Sequence, residues 1–160
     1  MYNQHLLSPE LHLHKGYRRS QGLIFRKDDK KFANFSNDFG KFFQQIINDP
    51  EVHMINRNRG SGTRVLLDRY LADQQPSGFF QEAKSHNSVA AAVAQKRADW
   101  GFAIRSVAED SGLGFIPIQD EEYDFVIPKE RLQIPEVVKF ISLLEENNIK
   151  KKLTELGLKT

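Results

Sequence analysis

The residues best equipped for chemistry stand together in "NRNRGSGTR", positions 56–64. Arg57, Arg59 and Arg64 supply charge, Ser61 and Thr63 supply hydroxyls, and Gly60 and Gly62 let a ligand approach the backbone. The stretch follows "VHMI" (52–55), which reads as a strand, and leads into "TRVLLDRYLADQ", which reads as a helix with Val65, Leu66, Tyr70 and Leu71 on its buried side. In open α/β sheets, ligands bind where a strand ends and the next helix begins. The first turn of that helix has unpaired N–H groups and about half a positive charge. Arg59, Ser61, Gly62, Thr63 and Arg64 are therefore candidates for binding an oxyanion or a phosphate. Spacing alone fits equally well a capped helix with solvated arginines. Two sharper motifs fail. No lysine follows Gly62, so this is not a P-loop. Arg59 stands two residues before Ser61, where a nucleophile elbow needs glycine.

A second wall could come from Ser85, His86, Asp99 and Tyr123. Ser85 and His86 open the alanine-rich "SHNSVAAAVAQKR" (85–97); Ser85 is either a cleft donor or an ordinary helix cap. Asp99, in "ADWG", either faces the cleft and orients Arg57 or Arg64, or sits in a surface turn. Tyr123 either donates its hydroxyl to a ligand or packs with a wet tip. Gln21 is a further candidate of the same kind. His12 and His14 lie two apart, and no carboxylate or cysteine completes a zinc pattern, so no metal site is expected. Nothing pairs a nucleophile with a general base, so the expectation is a binding module and not an enzyme.

These residues sit in a chain of 160, one ordinary domain in length, with 39% hydrophobic and 28% charged residues. The net charge of +2 argues against a general nucleic-acid surface. The chain has no cysteine and no apolar run near the ~20 residues of a membrane span. "MYNQHLLSPE" lacks the pattern of a signal peptide, so a cytoplasmic location is expected. "QGLIF" (21–25) reads as a strand and "KDDKK" as a charged turn. Ser36 or Asn37 can cap a helix carrying Phe39, Phe42, Phe43, Ile46 and Ile47, which Asp49-Pro50 ends. Strands follow at 98–104, 113–118 and 122–128, a short helix ends at Gly112, and Pro135 opens two amphipathic C-terminal helices. The lone Trp100 is expected in the core. Alternating strands and helices make an α/β domain with a largely parallel sheet flanked by helices. Ala90, Ala91, Ala92 and Ala94 would let the helix after Ser85 pack closely, with its start at the same rim as residues 61–64.

"INRNRGSGTRVLLDRYL", "SHNSVAAAVAQKRADWGFAI", "GLGFIPIQDEEYDFVIP" and "RSQGLIF" together resemble one family. It is the periplasmic-binding-protein-like domain of prokaryotic molybdopterin-biosynthesis proteins and molybdate-responsive regulators, similar in fold to type II substrate-binding proteins. The resemblance implies a periplasmic binding protein-like II fold, here mainly one lobe, with a remnant of the first lobe and hinge at 1–20, a ligand-binding lobe at 21–128 and C-terminal helices at 129–160. Full-length relatives carry about one lobe before the point where this chain starts, so most of the first lobe is expected to be missing. The implied function is binding of a small anion or anionic cofactor, linked to molybdenum-cofactor biosynthesis or its regulation. Molybdate, tungstate, sulfate or phosphate would be the ligand, with no covalently bound cofactor. The alternative is an accessory domain of a molybdopterin-biosynthesis enzyme that binds a pterin phosphate or a protein partner. Leu6, Leu7, Leu11, Leu13 and Tyr17 favour burial, so a homo-oligomer is expected, or another chain that supplies the first lobe.

Overall fold

The computed structural model describes residues 7–33, 35 and 38–160. Ser36 and Asn37, expected as helix caps, lie outside the described residues, as does Leu6. The chain divides into two compact units, one of Ser20–Gln119 and one of residues 7–19 with Asp120–Thr160. Two long strands, β1 (Leu11–Phe25) and β5 (Gly114–Pro128), run through both.

In the central unit, α1 (Lys30–Ala33) and α2 (Phe39–Asn48) precede β2 (Met54–Arg57), α3 (Gly62–Leu71), β3 (Glu82–Ala83), α4 (His86–Ala94), β4 (Trp100–Ile104) and α5 (Arg105–Asp110). The strand order is β3-β2-β4-β1-β5. β2 runs parallel to β3, pairing Arg57 with Ala83, and parallel to β4, pairing Ile55 with Gly101. β1 runs antiparallel to β4, from Gln21 opposite Ile104 to Phe25 opposite Trp100. A Cβ on Gly16 would meet the Tyr123 carbonyl, and one on Gly22 the Ile116 carbonyl, so β1 and β5 run in opposite directions.

Successive strand residues point to opposite faces, and here both faces are apolar. Leu23, Met54, Trp100 and Phe102 face one side with α2 and Leu66, Leu67 and Leu71 of α3. Ile24, Ile55 and Ala103 face the other with Val89, Ala90, Ala92 and Val93 of α4 and Ala108 of α5. Close approach decides the second face: a Cβ on Gly101 would stand 2.7 Å from Val89 Cγ1. Trp100 is fully buried, as expected. Asp38 caps α2, its Oδ1 accepting from the Lys41 N–H at 3.1 Å.

The structure corrects several sequence expectations. "KDDKK" contributes to α1 as well as a turn, because Phe32 anchors a helical turn in the core. On α3 the buried stripe is Thr63, Arg64, Leu66, Leu67 and Leu71, whereas Val65 is 46% exposed and Tyr70 also reaches solvent. On α4 the helical repeat leaves Ala94 exposed. The two strands expected at 113–118 and 122–128 are one continuous strand, and residues 11–20 extend β1. Residues 120–128, the second half of β5, group with residues 7–19 in one compact unit.

In the other unit, the Arg18 and Lys159 backbones exchange hydrogen bonds of 2.6 and 2.7 Å, and Arg19 Nε donates to Glu121 Oε2 at 2.6 Å. A 3₁₀ turn, Lys129–Arg131, leads to α6 (Pro135–Glu145) and α7 (Asn147–Glu155). Phe140 of α6 packs edge-on against Phe125 of β5.

Candidate functional site at the carboxyl edge of the sheet

Because β2, β3 and β4 are parallel, the starts of α3 and α4 fall at one edge of the sheet. α3 follows β2 and α4 follows β3, its direct neighbour, so residues 61–63 and 85–87 share the rim expected for them. The helices lie on opposite faces, yet both present their N-termini there.

At α3, Gly60 makes the turn at φ +83°, and Ser61 caps the helix, its Oγ accepting from the Arg64 N–H at 3.2 Å. The Gly62 and Thr63 amides have no acceptor among the described residues, as the first turn of a helix requires. At α4, Ser85 Oγ accepts from the Ser88 N–H at 3.0 Å and lies 2.9 Å from Ser88 Oγ. His86 is the first residue of α4 and is half-buried. Ser85 thus caps its helix and stands on the rim at once.

The three arginines separate by environment. Arg64 is 5% exposed. Its Nε donates to Asp68 Oδ1 at 2.7 Å and its Nη1 to Glu82 Oε1 at 3.0 Å and to the Arg57 carbonyl at 3.2 Å, while the guanidinium lies 4.9 Å from the Phe79 ring centre. Two carboxylates already neutralise it, so Arg64 braces the loop from inside. The Arg59 side chain is 78% exposed, with Nε 3.8 Å from Glu82. Arg57 Nη2 lies 3.4 Å from both Asn58 Oδ1 and the Lys84 carbonyl. Its guanidinium therefore joins the loop before α3 to the loop before α4. Asn56, fully buried, fixes the base of this loop: its Nδ2 donates to the Phe79 carbonyl and its Oδ1 accepts from the Arg57 N–H. Asn56, Phe79 and Glu82 gave no sequence signal, since their contacts depend on strand pairing. The Arg64–Asp68 spacing of four was the one legible part of this brace.

Asp99 does not join the site. It stands at the amino end of β4, the edge opposite the helix starts, where its Oδ2 accepts from the His53 N–H at 2.8 Å and its Oδ1 from Arg26 Nη2 at 2.7 Å. Burial raises the Asp99 pKa, but the His53 N–H and the Arg26 guanidinium outweigh it and hold the carboxyl below the usual aspartate value. Parallel pairing makes the correction necessary: the residue before a strand and the residue after it lie on opposite edges. Tyr123 lies in the other unit, stacked on Tyr17 at 5.2 Å, with Arg19 5.0 Å from its ring centre. The described residues include no cluster of three or more groups able to hold a metal ion.

A sheet covered by helices, with two helix starts at one edge, defines a class, and comparison places the chain in it. The model of the PBP superfamily domain matches residues 1–145, and the chain belongs to that superfamily. Among curated proteins it is similar to the uncharacterised protein YvgK of Bacillus subtilis (strain 168), 33% identical over 112 residues. That match takes in 67% of this chain and 36% of the relative, so the matched part spans about a third of the relative's length. An uncharacterised protein encoded 5′ of a 2Fe–2S ferredoxin gene of Clostridium pasteurianum is 33% identical over 92 residues, 57% of this chain and 78% of the relative. Among solved structures, a substrate-binding protein with bound phosphate from Clostridium perfringens, assigned to a phosphate ABC transporter, superposes with TM-score 0.71 at 15% identity, covering 96% of this chain and 75% of that one. The substrate-binding domain assigned to a molybdenum ABC transporter of Clostridium difficile gives TM-score 0.59 at 16% identity, covering 92% and 66%. These likenesses establish the periplasmic binding protein-like fold. The similar structures are mostly substrate-binding proteins, and one is an ancestral amino acid-binding protein described as a precursor of cyclohexadienyl dehydratase.

Proposed function

We propose that this chain is a non-enzymatic module that binds a small oxyanion at the carboxyl edge of its sheet. The observation that carries the reading is the pair of helix starts on neighbouring parallel strands, with the Arg57 guanidinium between their loops. The start of α3 offers the Gly62 and Thr63 N–H groups, both starts offer positive potential, and Arg57 adds a planar donor suited to oxyanions. Ser61, Gly62 and Thr63 are the contact residues at α3, with Arg59 at the outer rim and Arg64 as the brace. Ser85 and His86 serve at α4. Similar structures that hold phosphate or are assigned to molybdenum transport support an oxyanion ligand of the molybdate, tungstate, sulfate or phosphate kind. A role in molybdenum-cofactor biosynthesis or its regulation, in the cytoplasm, is the setting we propose for it.

Isothermal titration calorimetry with each of the four ions tests the reading. Arg57→Ala combined with Ser61→Ala should weaken binding by at least about tenfold, since hydrogen bonds to charged groups contribute about 1.5–3 kcal/mol each. Unchanged affinity in that double variant, or no binding of any of the four, would overturn it.

The reading extends to partners. Within the unit made of residues 7–19 and 120–160, Val126, Ile134, Val138 and Leu156 remain exposed. We propose that a second polypeptide, a further copy or a chain carrying a complementary lobe, covers them. Light scattering of the purified chain should give a mass above the 18.5 kDa of one copy; a monomer at every concentration would exclude self-association and leave the complementary chain.

A further inference from the structure

We infer that Gln21 reads the ligand at this edge, and that its carboxamide favours an oxyanion that still carries a hydrogen. The inference rests on the oxyanion reading above. Gln21 lies on β1 opposite Ile104, the last residue of β4, and so at the same carboxyl edge as the starts of α3 and α4. Leu23, two residues further along, joins the core that includes α3. By the two-residue repeat of a strand, Gln21 faces that side as well. One strand, β4, separates β1 from β2, which puts Gln21 two strand spacings, roughly 10 Å, from the end of β2.

Gln21 is 4% exposed, and its Oε1 is shut off from solvent with no donor. Among the described residues nothing donates to that oxygen. A buried amide oxygen without a partner is uncommon and costly. The helix starts account for an anion, but the oxygens of a bare oxyanion only accept, and an acceptor such as Oε1 gains nothing from them. A ligand hydroxyl supplies the missing donor, while the carboxamide N–H serves another ligand oxygen. Hydrogen phosphate offers both groups. Sulfate matches it in tetrahedral shape and, in mildly alkaline buffer, in double charge, but lacks the hydrogen. Molybdate and tungstate lack it too.

Calorimetric titration of the full chain with phosphate and with sulfate in mildly alkaline buffer tests the idea. Phosphate should bind about tenfold tighter or more, the scale of one buried acceptor left unsatisfied. Gln21→Leu should bring the ratio of the two affinities close to one. Gln21→Met, which keeps the length of the side chain without the carboxamide, gives the same readout should the leucine variant fail to fold. Equal affinity for the two ions in the native protein overturns the inference, and so does an unchanged ratio in either variant. If both ions bind equally, only the role of Gln21 falls; if neither binds, the oxyanion reading falls and takes this inference with it.

Discussion

Residues 20–119 and the unit made of residues 7–19 and 120–160 contain apolar side chains in comparable patterns, yet they bury them very differently. Every buried apolar side chain among the described residues lies in 20–119 except Ile127, itself 9% exposed. α6 presents Val137, Phe140, Ile141 and Leu144 at positions i, i+3, i+4 and i+7, as regular a stripe as that of α2. On α2 the stripe is buried apart from the partly buried Phe39; on α6 and α7 no residue is buried. The difference lies in what each stripe meets. α2 lies on a sheet of several strands with apolar residues on the facing side, and a helix alone cannot bury its own stripe. Amphipathic periodicity thus specifies which face of a helix is sticky, and what packs against that face sets how much of it leaves water.

Core truncation should give the largest contrast. Phe102→Ala, at a fully buried ring between Trp100 and Phe43, should cost about 3–5 kcal/mol in denaturant unfolding. Phe140→Ala, at a ring packed on Phe125 but partly in water, should cost well under half as much. Equal losses would break the comparison. The arginines sharpen it within the central unit. Arg64→Ala removes donors from Asp68 and Glu82 and should cost about 1.5–3 kcal/mol. Arg59→Ala, at an exposed side chain, should stay within about 0.5 kcal/mol on the same melting curves.

The smallest effect concerns acid. The folded Asp99 carboxyl titrates below its ordinary value, so its contribution is present above the unfolded pKa of about 4 and is lost as pH falls through the lower folded value. The stability gap between the native protein and Asp99→Asn should be constant above about pH 5 and should shrink below pH 4. A gap that widens on acidification would mean the Arg26 and His53 contacts do not hold the carboxylate. The effect belongs to the edge opposite the proposed site, so anion affinity should be unaffected by this substitution.

Much of this molecule was legible in residue order. The alternation of strands and helices, the "RGSGTR" and "SHNS" helix starts with their serine caps, and the burial of Trp100 all follow from local pattern. Local rules reach only a few residues, and that is why the rest was not legible. Nothing near Asp99 reveals that it stands at the opposite edge from Ser61; parallel pairing of β2 and β4 places it there. Nothing near Arg64 reveals Glu82, eighteen residues away and brought in by the pairing of β2 with β3. The sequence by itself determined most of the helices and strands of residues 20–119 and the polar starts of α3 and α4, because periodicity and capping act over one or two turns. The tertiary structure decided which starts share an edge, which arginine bridges two loops and which is neutralised, and which apolar stripes are covered. Those outcomes depend on strand order and on long-range contact, which no local spacing encodes.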